Sequence, residues 1–133
     1  MHLRGTEAAI HCFGVLVDVR NAFVEILANA IYFAPTPAFG GRIDITVEKH
    51  EEHVSILFWN NGAPIPNELL QVNHAGVVRL FEWFEAGHAD RTGMGLAYAK
   101  WAFENCKGSI AVEAVEAGAC FRVELPLSKA VCE

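Results

Sequence analysis

The chain of 133 residues has no uncharged run long enough to cross a membrane. The longest, over 26–41, is 16 residues with two prolines near its end, short of the roughly 20 a spanning helix needs. It has no cysteine pair at Cys-x-x-Cys spacing. The four cysteines, at 12, 106, 120 and 132, follow no regular interval and read as thiols of a reducing compartment. It has no positive excess either: 10 Lys+Arg stand against 16 Asp+Glu, a formal charge of −6. The basic residues do not cluster, which argues against a nucleic-acid partner but not against a bound nucleotide. The apolar stretch 8–17 makes a poor signal peptide, since Glu7 precedes it, His11 interrupts it, and Asp18 and Arg20 stand where a cleavage site belongs. No linker, repeat or low-complexity tract divides the chain. These absences leave one cytoplasmic domain over 1–133, with a lead-in over 1–17 and no membrane contact.

What is present is the composition of a folded protein, 53% apolar and 20% charged. Val19, Phe23, Ile26, Leu27, Ala30 and Ala34 recur at helical spacing until Pro35 and Pro37 stop the helix. Ile43, Ile45 and Val47 alternate with polar residues, as do Val54, Ile56 and Phe58, with 49–52 as a charged hairpin turn between them. After 60–66, dense in chain breakers, a short helix is expected from Asn67 to about Val72, and 75–91 has no clear period. A second long helix is expected from Thr92, burying Leu96, Ala99, Phe103 and Cys106, with Gly108 placed to close it. Strands over 109–115 and 121–126 end the chain. The fold class is α+β: a two-layer α/β sandwich whose mainly antiparallel mixed sheet is covered on one face by about three helices.

Three places carry candidate chemistry. Glu25 and Asn29 stack on one stripe of the first helix, off the Phe23/Leu27/Ala30 face and beside Ala22 and Phe33; such a pair can hold Mg²⁺ or orient a nucleophile. Asn60-Asn61-Gly62 combines a glycine that lets backbone approach a flat ligand with an amide able to pair with adenine. Thr92-Gly93-Met94-Gly95-Leu96 is a Gly-x-Gly turn opening a helix, whose free N–H groups suit phosphate. Each alone reads more readily as an exposed polar pair, a plain turn or a common helix start. The order in which they follow one another is more specific.

In that order they resemble the boxes of histidine-kinase-type ATPase domains, of the GHKL superfamily with its Bergerat fold. Glu25-Ile-Leu-Ala-Asn29 is similar to the N box, 60–66 to the first glycine box, 80–84 to the F box and 92–97 to the second glycine box, and the resemblance runs from about 18 to 127. It implies ATP and Mg²⁺ as cofactors. It implies Asn29 as metal ligand, Glu25 at the position of a general base, Phe33 stacking on adenine, Asn60 facing its amine beside Gly62, and backbone from Thr92 through Gly93, Met94 and Gly95 to Leu96 holding phosphates. Residues 67–91 would form a lid. The implied activity is transfer of the γ-phosphoryl group to a histidine on another domain or chain, so the partner is a protein carrying that histidine, or a response regulator. None of the six histidines here has an acidic follower on a dimerising helical hairpin.

Four positions depart from the family pattern. Asn60 stands where Asp is usual, and losing that charge-assisted contact costs on the order of 1 to 2 kcal/mol, about tenfold in affinity. Pro64 replaces a glycine and removes an N–H. Tyr32 occupies the place of a phosphate-contacting Lys or His, and Arg91 that of a leading glycine, where its charge can reach phosphate or obstruct the lid. They support a second reading, a degenerate ATPase-fold adaptor that binds a signalling protein. Glu at position 25 supports a third, an anti-sigma-factor-type serine kinase.

Overall fold

Apolar-polar alternation builds a sheet with one dry face. In the computed structural model, which describes residues 2–4, 16–35, 39–82 and 95–127, β2 (Ile43–Lys49), β3 (His53–Asn60), β4 (Ser109–Glu113) and β5 (Ala119–Pro126) pair antiparallel in the order β2-β3-β5-β4. Phe58 of the central strand lies opposite Ile45 on one side and Phe121 on the other, and Ile56 opposite Val47 and Val123. The alternate residues form the open face. There Arg122 makes a bidentate pair with Glu113, at 2.8 and 3.0 Å, which holds that carboxyl below the ordinary range. A fifth strand, β1 (His2–Arg4), joins β2 in parallel at the sheet edge. It falls in the 1–17 lead-in, and three residues are too few to show a period of two.

Helices α1 (Leu16–Phe33) and α2 (Gly95–Asn105) cover the dry face. Asp18 accepts a hydrogen bond from the Tyr98 hydroxyl at 3.2 Å, and the Phe23 and Phe103 rings meet edge-on at 5.2 Å. These contacts come in the same order along both helices, so α1 and α2 run side by side in one direction. Phe23 also reaches Phe58, ring centres 5.9 Å apart. The layer is completed by 3-10 turns at Asn67–Leu70, where a short helix to about Val72 is expected, and at Arg79–Phe81. None of the described helices is long and apolar enough to cross a membrane.

The face that α1 buries is wider than its sequence stripe. Ile26 and Ala30 are buried as expected, but so are Ala22 and Asn29, whereas Val19, Phe23 and Leu27 are only partly covered. The reason is that α1 packs against α2 as well as the sheet, so its buried arc spans two neighbours and takes in a side that the stripe leaves to solvent. α2 meets it with small residues, Ala99 and Ala102, beside Phe103.

The end of α2 differs from expectation by one residue. The Gly108 N–H reaches the Phe103 carbonyl at 2.7 Å and the Lys107 N–H that of Glu104 at 3.0 Å, a Schellman closure. The left-handed residue within it is Lys107, φ 65°, rather than the glycine. Gly108 is needed for a different reason: a methyl group there would lie 2.4 Å from the Glu124 carbonyl oxygen. A non-glycine residue in that conformation costs about 1 kcal/mol. Lys107→Gly is therefore expected to raise the urea midpoint by about that stability, and a lowered midpoint would contradict the assignment.

Candidate functional site

The exit of β3 is built around Asn60. As the last residue of the central strand it shares the helix-facing side with Phe58, is 1% exposed, and lies opposite Ile43 and Ala119. Its side-chain oxygen accepts the Gly62 N–H at 2.9 Å, which turns the chain out of the sheet. Two glycines make room for this turn. A methyl group on Gly62 would sit 2.2 Å from the Phe33 carbonyl oxygen, and one on Gly118 would sit 2.0 Å from the Asn60 carbonyl oxygen, with Gly118 also at φ +77°. Gly62 thus seats the C-terminal end of α1 directly on the loop that leaves β3. Gly118, in the turn between β4 and β5, closes the other side.

From that seat the candidate residues run back along α1. Phe33 and Tyr32 are partly exposed at its end, their rings edge-on at 5.0 Å. Asn29 stands one turn earlier and Glu25, half-buried, one turn earlier again, so Phe33 to Glu25 spans about 12 Å of helix. Asp18 meets Tyr98 and Phe23 meets Phe103, so Gly95 at the start of α2 lies beside the first turn of α1, and Leu96 packs partly into the core. One end of the track from Phe33 to Glu25 carries aromatic and amide groups, and the other a carboxylate. Arg91, Thr92, Gly93 and Met94 lie outside the described residues.

Asn29 is the most informative of these. Its side chain is 8% exposed and has no hydrogen-bond partner among the described residues. A buried amide left unsatisfied costs about 1–3 kcal/mol, and a group that brings its own polar atoms could be held here. An amide oxygen at the turn after a carboxylate fits a hard cation such as Mg²⁺, which takes oxygen ligands and keeps several waters. Cys120, by contrast, is a packing residue: burial pushes its thiol up to about 11, so it is no nucleophile at neutral pH.

The stretch expected to form a lid over 67–91 is anchored through its first part. Leu69, Leu80 and Phe81 are buried in the core, and Phe81 meets Phe121 at 6.3 Å. Between them Val72 pairs with Val78, and Asn73 accepts the Ala75 and Val77 N–H groups while donating to Glu82 at 2.6 Å. Irregular sequence here reflects a turn held by one side chain, which leaves no periodic signal. Residues 83–91 lie outside the described residues.

With this geometry the comparisons with known proteins are decisive. The model of the "Histidine kinase-, DNA gyrase B-, and HSP90-like ATPase" family matches residues 14–129. The chain belongs to this family. Among its relatives, the sensor histidine kinase RppB of Synechocystis sp. is 34% identical over 129 residues, which covers 92% of this chain and 26% of RppB. The heme sensor protein HssS of Staphylococcus saprophyticus is 28% identical over 124 residues, 91% of this chain and 23% of HssS. The chain therefore spans about a quarter of the length of these relatives. The nucleotide-free catalytic domain of histidine kinase ThkA superposes with a TM-score of 0.77 at 26% identity, over 93% of this chain and 77% of that one. The α+β sandwich of this chain is thus the fold of histidine-kinase catalytic domains within that ATPase family.

The two glycines of this histidine-kinase-like site can be tested apart from function. Gly62→Ala and Gly118→Ala should each cost about 2 kcal/mol or more, because the obstruction is backbone. Gly76→Ala, at φ +83° with nothing within 4 Å, should cost only about 1 kcal/mol. Denaturant midpoints of the three variants give the comparison, and equal losses would contradict it.

Proposed function

We propose that the chain is the ATP·Mg²⁺-binding catalytic domain of a histidine kinase, passing the γ-phosphoryl group to a histidine supplied by another domain or another chain in two-component signalling. The observation that carries this is the buried Asn29 amide, without a hydrogen-bond partner among the described residues and set between Glu25 on one side and the Phe33–Gly62 seat on the other. Family membership and the histidine-kinase relatives support the same reading.

On this reading the base lies at the β3 exit. Phe33 offers it an aromatic face, Asn60 an amide whose side-chain N–H groups donate to none of the described residues and whose oxygen accepts from Gly62, and Gly62 close backbone approach. The phosphates extend from there along α1 toward Glu25, and the backbone N–H groups that open α2, with the positive end of its helix dipole, are their proposed contacts. Asn29, with Glu25 behind it, would hold Mg²⁺, which when bound would supply charge neutralisation for the phosphates. In the transfer, the bond from Pγ to the leaving oxygen of ADP breaks as a bond to the acceptor histidine nitrogen forms. Glu25 is placed to take the proton from that histidine or to orient it. Catalysis is otherwise positioning and charge stabilisation, as phosphoryl transfer requires. Arg91 and the 92–94 backbone are proposed phosphate contacts that fall outside the described residues, and Tyr32 flanks the phosphate path.

Isothermal titration with Mg·ADP tests the reading, and no heat at millimolar nucleotide would overturn it in favour of the adaptor. Asn29→Ala is expected to remove the metal dependence of binding. Asn60→Asp should tighten Mg·ADP by about tenfold while lowering the melting temperature of the free protein, since it leaves a charge at a site 1% exposed. A weaker-binding Asn60→Asp would remove the assigned role of that residue. Acid-labile rather than acid-stable phosphate on the acceptor separates histidine from serine transfer.

A further inference from the structure

Asn61 has no role in the site just described, yet it makes three hydrogen bonds to one segment of the chain. Its side-chain oxygen accepts the Arg42 N–H at 2.9 Å, its side-chain nitrogen donates to the Gly40 carbonyl at 2.8 Å, and its own N–H donates to the Arg42 carbonyl at 3.2 Å. All three partners belong to the segment that leads from α1 into β2. Gly40 there is left-handed, φ +82°, with open space around it, so the turn owes its shape to these bonds rather than to packing. Arg42 in turn chelates Asp44 and lies 5.9 Å above the Trp59 ring, which fixes the loop to the sheet end. Phe39, on the same turn, is 83% exposed.

Asn61 and Gly62 therefore hold the two ends of one connection. Gly62 is seated on the Phe33 carbonyl, where the connection leaves α1, and Asn61 staples its far end at Gly40 and Arg42. We infer that Asn61 is a positioning residue that sets base discrimination: it fixes the Asn60–Gly62 loop and the Phe33 end of α1 relative to each other, and so fixes the surfaces between which a purine base lies. This rests on the nucleotide reading above. The separation of roles follows from the track along α1. The base end is framed by Phe33, Asn60 and Gly62, whereas Asn29 and Glu25 stand one and two turns further back along α1. A site that reads a base by hydrogen bonds discriminates only while its donors and acceptors are held within about half an ångström. Loss of the staple should cost discrimination between bases and leave the phosphate end as it was.

The experiment is titration calorimetry of the full chain with Mg·ADP and Mg·GDP, on wild type, Asn61→Ala and Asn61→Asp, with melting temperatures recorded alongside. Wild type should prefer ADP. In Asn61→Ala that preference should fall by roughly tenfold, the scale of one well-aligned hydrogen-bonding arrangement, mostly by weaker ADP binding. Asn61→Asp keeps the acceptor for the Arg42 N–H and loses only the donor to Gly40, so it should retain part of the preference; it also carries the test if the alanine variant does not fold. A ratio of affinities unchanged in both variants, or ADP and GDP weakened equally, overturns the inference while leaving the nucleotide site intact. Failure of the wild type to bind either diphosphate overturns the nucleotide reading and the inference with it.

Discussion

The contact on which the rest depends is the seating of Gly62 against the Phe33 carbonyl oxygen. It joins the end of the long helix to the exit of the central strand, with no room for a side chain between them. α1 is thereby fixed at one end by a loop and along its length by the sheet and α2. Every candidate residue on it, from Phe33 back to Glu25, inherits its position from that anchorage. The parallel course of α2 fixes the N-terminal half of α1, with Tyr98 on Asp18 and Phe103 on Phe23. The result is a graded surface along α1, aromatic and amide at one end and carboxylate at the other.

Much of this was legible from residues alone, and the reasons differ by element. The strands over 43–49 and 53–60 announced themselves because one sheet face is wet, so alternation survives in the sequence. The N-box pair Glu25 and Asn29 stood out because four-residue spacing on a helix stacks side chains whatever the tertiary context. Where the pattern failed, a second partner or a single side chain had intervened. Asn29 was read as lying off the buried face, but α2 covers that side of α1, and nothing in residues 19–34 reports on a helix some seventy residues later.

The other departures have equally local causes. Lys107 takes the left-handed position because Gly108 is claimed by the close approach of Glu124, so the closing glycine shows in the sequence one residue late. The stretch 67–82 looked irregular because Asn73 organises it through side-chain bonds that have no period, and it is core-anchored where a lid was expected. Asn61 was visible only as the middle of a turn motif. Its staple spans 19 and 21 positions to Arg42 and Gly40, a separation that no sequence window shows.

The account stands or falls on whether a nucleotide lies along α1 in the stated direction. The most direct measurement is amide chemical-shift mapping with Mg·ADP followed by a non-hydrolysable Mg·ATP analogue. Both ligands should move the amides of Phe33, Asn60, Asn61 and Gly62, and only the added γ-phosphate should extend the change to Glu25 and Gly95. Shifts confined to the open sheet face around Thr46, Leu57 and Arg122, or a γ-phosphate effect at the Gly62 end, would contradict it.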